Sequence, residues 1–475
     1  MFRKVFSNIF IYTVFPKLHS IAGIFILPII TKHLTPSDFG IYGVIIAATG
    51  ALEGLKELGF QVVIANSYFK FKNRYKWIWR QIQGFMVYWG FVFFFLASLI
   101  VFIIIPKEAE SNTKLIIFLT CSPYLFTPSL DIVSIRYFHY KEKPLQITLR
   151  SSILGFIGIS IQLYTIVFLK LGYLGWFWSQ FFVTILNYIS YCYPVIIKGK
   201  LLPILNFKWY RIKKSLKLSL PLIPHNYSFY ILNSSDRLVM QGLNVGINQI
   251  GKYNAAGTLS NYFSQFSDAL SFAISPTFMK FYAKGDDISK INYRKLLFIL
   301  QFGMILITFL TSIWLKEIFI ILIKNEELQQ AYQIGIILIM SFSYRPMYIA
   351  INSLLFFAEK TKSFLKISLV GALINIILNL IFIPYFGILA AALTTYLSLL
   401  YVGYSGYFLK EYKQQKQLKV YPEFLIVLTL IITIAAYFLG SMDIHVKLLV
   451  TAIISLCLGF FLIKNYKKII QIKKV

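Results

Sequence analysis

Apolar residues run along the chain in fourteen long segments separated by short polar connections. The segments cover 6–31, 39–67, 82–105, 115–135, 149–169, 173–197, 217–240, 253–280, 293–323, 331–357, 362–384, 386–409, 421–440 and 446–463. A helix needs about 20 residues to cross the hydrocarbon core of a bilayer. The pattern therefore predicts an all-α, polytopic membrane protein with about 14 transmembrane helices. The longer segments must tilt, kink or protrude. Trp77, Trp79 and Trp209 fall at one set of segment ends and Trp176, Trp178 and Trp314 at the other, as interfacial aromatic belts require.

Charge gives this pattern a direction. Every second connection is basic: Arg3 and Lys4 first, then Lys70 to Arg80, Arg136 to Arg150, Lys198 to Lys217, and so on to the cluster at 464–474. The intervening connections carry isolated lysines such as Lys107, Lys170, Lys324 and Lys447. The positive-inside rule places the basic connections and both termini in the cytoplasm. Only 14% of residues are charged, against about 25% in soluble domains. The net charge of +29 is spread over many cytoplasmic patches, which points to anionic lipid headgroups as partners and away from nucleic acid. Cys121, Cys192 and Cys457 sit inside apolar segments and read as small core residues. The first apolar segment is too long for a signal-peptide core and is expected to stay as a helix.

The two halves of the chain resemble each other. Phe39-Gly40-Ile41-Tyr42-Gly43 opens segment 2, and Ile250-Gly251-Lys252-Tyr253-Asn254 opens segment 8, 211 residues later. Gly172-Tyr173-Leu174-Gly175 precedes segment 6, and Gly387-Ile388-Leu389-Ala390 opens segment 12, 215 residues later. Near-equal offsets predict a duplicated six-helix unit. The expected organisation is an N-lobe over 1–200, a basic cytoplasmic linker at 201–216 and a C-lobe over 217–410. Two extra helices follow at 420–464, then a basic tail at 465–475. Paired lobes with a cavity between them are a transporter architecture. Pro16 and Pro28 in segment 1, matched by Pro221 and Pro224 in segment 7, would bend helices that gate or rock.

Four cations remain inside the apolar segments, where a charge costs about 3 kcal/mol even on a lenient scale. Lys17 and Arg345 lie nearest mid-depth, with no acidic neighbour three or four residues away, and are the first candidates for an anion site. Lys56 follows Glu53 by three residues, so the two read as an internal ion pair on one helix face. Arg237 follows Asp236 near the outer end of segment 7, where a lid or interlobe pair is expected. Among the acids, Glu57 and Asp268 are related by the 211-residue offset, and Asp131 lies in segment 4. These three are candidate ion-coupling carboxylates for a proton or a sodium ion, with neutralisation of a neighbouring cation as the alternative. Asn375 and Asn379 are placed for hydrogen bonds between helices. His19 and His225 read as polar interhelical contacts. No HExxH, P-loop, CxxC or GxSxG pattern occurs, so the expectation is a protein that is not an enzyme and holds no metal or organic cofactor.

Three stretches carry a family resemblance. Thr35-Pro36-Ser37-Asp38-Phe39-Gly40-Ile41-Tyr42, with Glu57-Leu58-Gly59-Phe60, resembles the first helix pair of Wzx-type polysaccharide flippases. Asn233-Ser234-Ser235-Asp236-Arg237 with Gly251-Lys252-Tyr253 resembles their seventh and eighth helices. Ile383-Pro384-Tyr385-Phe386-Gly387-Ile388-Leu389-Ala390-Ala391-Ala392 is similar to the start of their helix 12. The resemblance runs over most of the chain in the correct order, within the multidrug/oligosaccharidyl-lipid/polysaccharide exporter superfamily. It implies a two-lobed bundle in a bacterial inner membrane, of the kind that serves O-antigen or lipopolysaccharide synthesis. Such a protein moves a polyprenyl-diphosphate-linked oligosaccharide to the outer leaflet by alternating access, as an ion-coupled antiporter, beside a polysaccharide polymerase or ligase. Lys17 and Arg345 would hold the diphosphate. Two readings compete: a multidrug or peptidoglycan-precursor exporter of the same superfamily, and a membrane-embedded glycan polymerase or ligase. The last should carry a large outer loop with paired Arg or His, which this chain lacks.

Overall fold

The computed structural model describes residues 18–220, 223–413 and 420–471. Every regular element among them is helical. Eight helices are long and apolar enough to cross a membrane, or nine if the pair Lys107–Leu125 and Thr127–Tyr140, bent by 57°, counts as one span. The Tyr75–Ile104 helix shows why these surfaces need lipid. Its 30 residues extend about 45 Å, and Phe91, Phe95, Leu99 and Phe102 form an outward stripe, each at least half exposed. A large apolar stripe turned outward is the reverse of a soluble helix. The chain is a multi-pass membrane protein.

Several expected spans are broken helices. Segment 2 is two helices, Pro36–Lys56 and Gln61–Lys70, separated at Leu58 and Gly59, whose φ values are +49° and +68°. By contrast, the segments expected separately at 362–384 and 386–409 do form two helices within the Thr361–Tyr404 stretch, which reverses at Gly387, where φ +57° and ψ −137° require a residue without a Cβ. Asn375, Asn379, Thr394 and Thr395 hydrogen-bond across that reversal. The span expected at 217–240 resolves into a basic amphipathic helix, Trp209–Ser219, followed by Ile223–Gly242. Two tryptophans expected in the aromatic belts belong to the core instead. Trp79 is fully buried and donates to Ser67, and Trp176 packs against Phe39 and Tyr42.

The chain forms two compact units, and their division does not fall at the 201–216 linker. One runs to Asn254 and includes Leu322–Leu328; the other comprises Ala255–Ile321 and Gln329–Val475. Helix Ile223–Gly242, expected in the C-lobe, belongs to the first unit because it packs along Pro36–Lys56. There Tyr230 donates to the Ala47 carbonyl at 2.5 Å, and the small Gly50 and Gly54 leave room for the Tyr230 and Tyr227 rings.

The turn at the start of Pro36–Lys56 is a capping device. The Thr35 hydroxyl accepts from the Asp38 amide and Asp38 accepts from the Thr35 amide, at 3.2 and 2.7 Å, with Pro36 in the first helical turn. The second carboxylate oxygen of Asp38 accepts from the Tyr173 amide at 2.8 Å. Gly172 stands at φ +56°, and a Cβ there would meet that oxygen at 2.6 Å. The two repeat motifs pack directly on each other. A Cβ on Gly40 would lie 2.2 Å from the Ile247 carbonyl oxygen, and one on Gly251 would lie 1.8 Å from the Pro36 carbonyl oxygen. Glycine at both positions is what allows the backbones to approach.

In the second unit, 332–357 is the most enclosed stretch, interrupted by a turn of 3₁₀ helix at Ser341–Tyr344. Asp286 caps the Asp287–Ile313 helix, and its hydrogen bonds from Ser289 hold its carboxyl below the usual range. An apolar groove of about 1070 Å³ runs between that helix, Pro422–Leu439 and the last helix, lined by residues such as Phe302, Tyr421, Ile431 and Leu458.

Candidate functional site

The first unit gathers five charges at the break after Lys56. Lys56 Nζ lies 3.0 Å from Glu53 Oε2 and 3.4 Å from Asp131 Oδ2. The expected Glu53–Lys56 pair is thus part of a triad, which the sequence hides because Asp131 comes from the Thr127–Tyr140 helix. That helix starts after the bend, with Pro123 and Pro128 flanking it. One and a half turns beyond Asp131, Arg136 forms a two-pronged pair with Glu57, at 2.8 and 3.4 Å. Glu57 ends the Pro36–Lys56 helix, where the left-handed Leu58 and Gly59 turn the chain and let its carboxylate reach sideways. Arg136 was grouped with the basic connection after segment 4; the helix continues to Tyr140 and carries it into the site.

Beside these charges lies a cavity of about 360 Å³, lined by Gly50, Ala51, Glu53, Gly54, Glu57, Gln61, Arg136, Tyr227 and Tyr230. Its wall combines two carboxylates, one guanidinium, one amide and two phenol rings.

The second unit holds Arg345 at the first position of the Arg345–Phe357 helix, just after the 3₁₀ turn. The ring centroids of Phe342, Tyr344 and Tyr348 lie 5.5–5.8 Å from its guanidinium carbon. Its nearest carboxylate is Asp268, at 4.0 Å, beyond hydrogen-bond reach. The buried Arg345 Nε has no hydrogen-bond partner among the described residues. Gln301 donates to the Ser343 carbonyl at 2.9 Å and so steadies the turn that presents the arginine.

The two pairs have similar spacing along the sequence. Asp268 follows Glu57 by 211 residues, and Arg345 follows Arg136 by 209. The first-unit pair is closed and bidentate, whereas the second-unit pair is open.

Other expected site residues fall elsewhere. Asp236 is buried and accepts from the Tyr253 hydroxyl, while Arg237 donates to Asn254 at 3.0 Å and stands over the Tyr253 ring. These contacts join Ile223–Gly242 to the start of the next helix. Lys17 lies outside the described residues, as do Pro16, Pro221 and the side chains of His19 and His225. Lys447, read as an outer-loop lysine, is fully buried and donates to Glu317 at 2.7 and 3.0 Å and to the Gly440 carbonyl at 2.9 Å. Among the described residues, no three His, Cys, Asp or Glu side chains converge as a metal-binding set.

A family described as "Polysaccharide biosynthesis protein" matches residues 5–282. The chain belongs to this family. No curated protein sequence matches it. Its fold is similar to an inward-facing multidrug resistance MATE family transporter of the MOP superfamily, with 11% identity over 82% of this chain and 95% of the other, at a TM-score of 0.63. It is also similar to the lipid II flippase MurJ in an inward closed conformation, with 17% identity over 89% and 98% of the two chains and a TM-score of 0.61. A mutant of the Vibrio cholerae MATE transporter VcmN gives 11% identity over 86% and 96%, at 0.57. At these identities the likeness establishes the fold alone.

Proposed function

We propose that this polysaccharide-biosynthesis family member is a flippase, moving a polyprenyl-diphosphate-linked oligosaccharide from the cytoplasmic to the outer leaflet of a bacterial inner membrane. Both termini would be cytoplasmic and about 14 helices would cross the bilayer. Movement would follow alternating access, coupled to a proton or sodium ion through Glu57, Asp131 and Asp268. The observation that carries the cargo reading is Arg345. A diphosphate cannot enter hydrocarbon without compensating charge, and Arg345 offers a mostly buried guanidinium with an unpartnered donor at a helix start. Arginine grips phosphate through two parallel hydrogen bonds. Asp268, half exposed and 4.0 Å away, would neutralise the arginine in the empty state and yield it to the diphosphate. Lys17 is the proposed second contact. The Arg211, Lys213, Lys214 and Lys217 face of the Trp209–Ser219 helix suits anionic headgroups. Transport, without a chemical step, is the whole activity in this reading.

A second reading, a multidrug or peptidoglycan-precursor exporter, draws support from the first-unit cavity, whose two carboxylates against one guanidinium suit an organic cation. Deleting the gene and identifying the retained lipid-linked sugar separates the two. The flippase reading expects a polyprenyl-diphosphate oligosaccharide to accumulate on the cytoplasmic leaflet. Accumulation of peptidoglycan precursor, or of no lipid-linked sugar, would overturn it.

A further inference from the structure

The first-unit cavity has a composition that the diphosphate does not use. Its wall offers Tyr227 and Tyr230 as flat apolar faces and Glu53, Glu57, Gln61 and Arg136 as hydrogen-bonding groups. Sugars present this same alternation: C–H faces that stack on aromatic rings, and hydroxyls that need donors and acceptors around the rim. The stacking faces are fixed in place. Tyr230 is held by its bond to the Ala47 carbonyl, and the Tyr227 ring lies over Gly54, where a Cβ would come within 3.0 Å of it. Gly50 and Gly54, one turn apart, are what let the two rings lie against the Pro36–Lys56 helix. The volume of about 360 Å³ is enough for one or two sugar residues.

Charge then selects among sugars. Both hydrogen-bonding forks of Arg136 already face Glu57, and its Nη1 also donates to the Ile132 carbonyl. Glu53 is half exposed at the rim. Counting the neighbouring Lys56 and Asp131, three carboxylates face two cations, so a further anion entering here meets an excess of like charge. We infer that this cavity is a glycan subsite specific for uncharged or amino-bearing sugars and closed to acidic ones. The inference rests on the flippase reading and adds the chemical class of the glycan.

The test uses the full-length protein in proteoliposomes with three polyprenyl-diphosphate-linked trisaccharides that differ in one sugar: glucose, glucosamine or glucuronic acid. The glucose and glucosamine forms should be moved at similar rates and the glucuronic acid form at least about tenfold more slowly, the factor that 1.4 kcal/mol corresponds to. Tyr227→Ala should raise the KM for the glucose form about three- to tenfold through lost stacking, and Tyr227→Phe should leave it unchanged. Equal rates for all three glycans, or an unchanged KM in Tyr227→Ala, would overturn the glycan subsite while the flippase reading stands. Failure to move any of the three by a protein that still moves an organic cation would overturn the flippase reading itself, and the subsite with it.

Discussion

Glu57 and Arg136 are joined by two charge-assisted hydrogen bonds, with about a quarter of each side chain exposed. Removing either partner strands the other charge in a poorly hydrated position, a cost of about 2 kcal/mol once the partial exposure is allowed for. Arg136→Ala and Glu57→Ala should each lower the thermal stability of the detergent-solubilised protein. The double variant should lose less than the sum, giving a coupling of about 1–2 kcal/mol in the double-mutant cycle. Additive losses would mean that the pair contributes nothing as a pair. At this scale the sequence was partly legible. Glu53 and Lys56 declare their contact by spacing alone, because both sit on one helix. Asp131 with Lys56, Arg136 with Glu57, and Lys447 with Glu317 join residues 75, 79 and 130 positions apart. No local pattern encodes such pairs. Arg136 and Lys447 were misread for the same reason: each stands within a few residues of an apolar boundary, where depth depends on how far the helix runs on.

Among the elements, the Pro36–Lys56 helix organises the first unit through its small residues. Its glycines at 40, 43, 50 and 54 admit the Ile247 carbonyl, Asn254 and the two tyrosine rings. Gly40→Ala and Gly251→Ala should each destabilise by about 1–3 kcal/mol, because the obstructing atom is a backbone carbonyl that cannot swing aside. Gly303→Ala is the matched control, since a Cβ there meets nothing within 4 Å. Monodisperse yield on size-exclusion chromatography should fall for the first two and hold for the third; equal yields would contradict the close-packing account. The fingerprint segments are legible in hindsight as backbone devices: a capping box at Thr35–Asp38, a left-handed turn at Leu58–Gly59, a reversal at Gly387. Apolar patterning locates the helices but cannot report breaks inside them. Segment 2 and the 331–357 segment both read as single spans, although each changes direction or winding beside a proposed site residue, Glu57 in one and Arg345 in the other.

Across the whole molecule, each unit sets an acid against an arginine from another helix, Glu57 with Arg136 in one and Asp268 with Arg345 in the other. Glu57 and Asp268 are 211 residues apart and Arg136 and Arg345 are 209 apart. The two pairs differ in closure: one is locked, and the other leaves its arginine incompletely partnered. The lobe boundary was less legible, because the basic linker marks a charge boundary, whereas packing carries Ile223–Gly242 into the first unit. The open pair is the proposed diphosphate contact, and the central claim rests on it. Its most direct test is the transfer of a fluorescent polyprenyl-diphosphate-linked oligosaccharide across proteoliposomes by the wild-type protein, Arg345→Ala and Arg345→Lys at equal protein levels. The account predicts transfer by the wild type, loss of at least about 90% in Arg345→Ala by removal of a charge-assisted phosphate contact, and partial recovery in Arg345→Lys. Undiminished transfer by Arg345→Ala would contradict it.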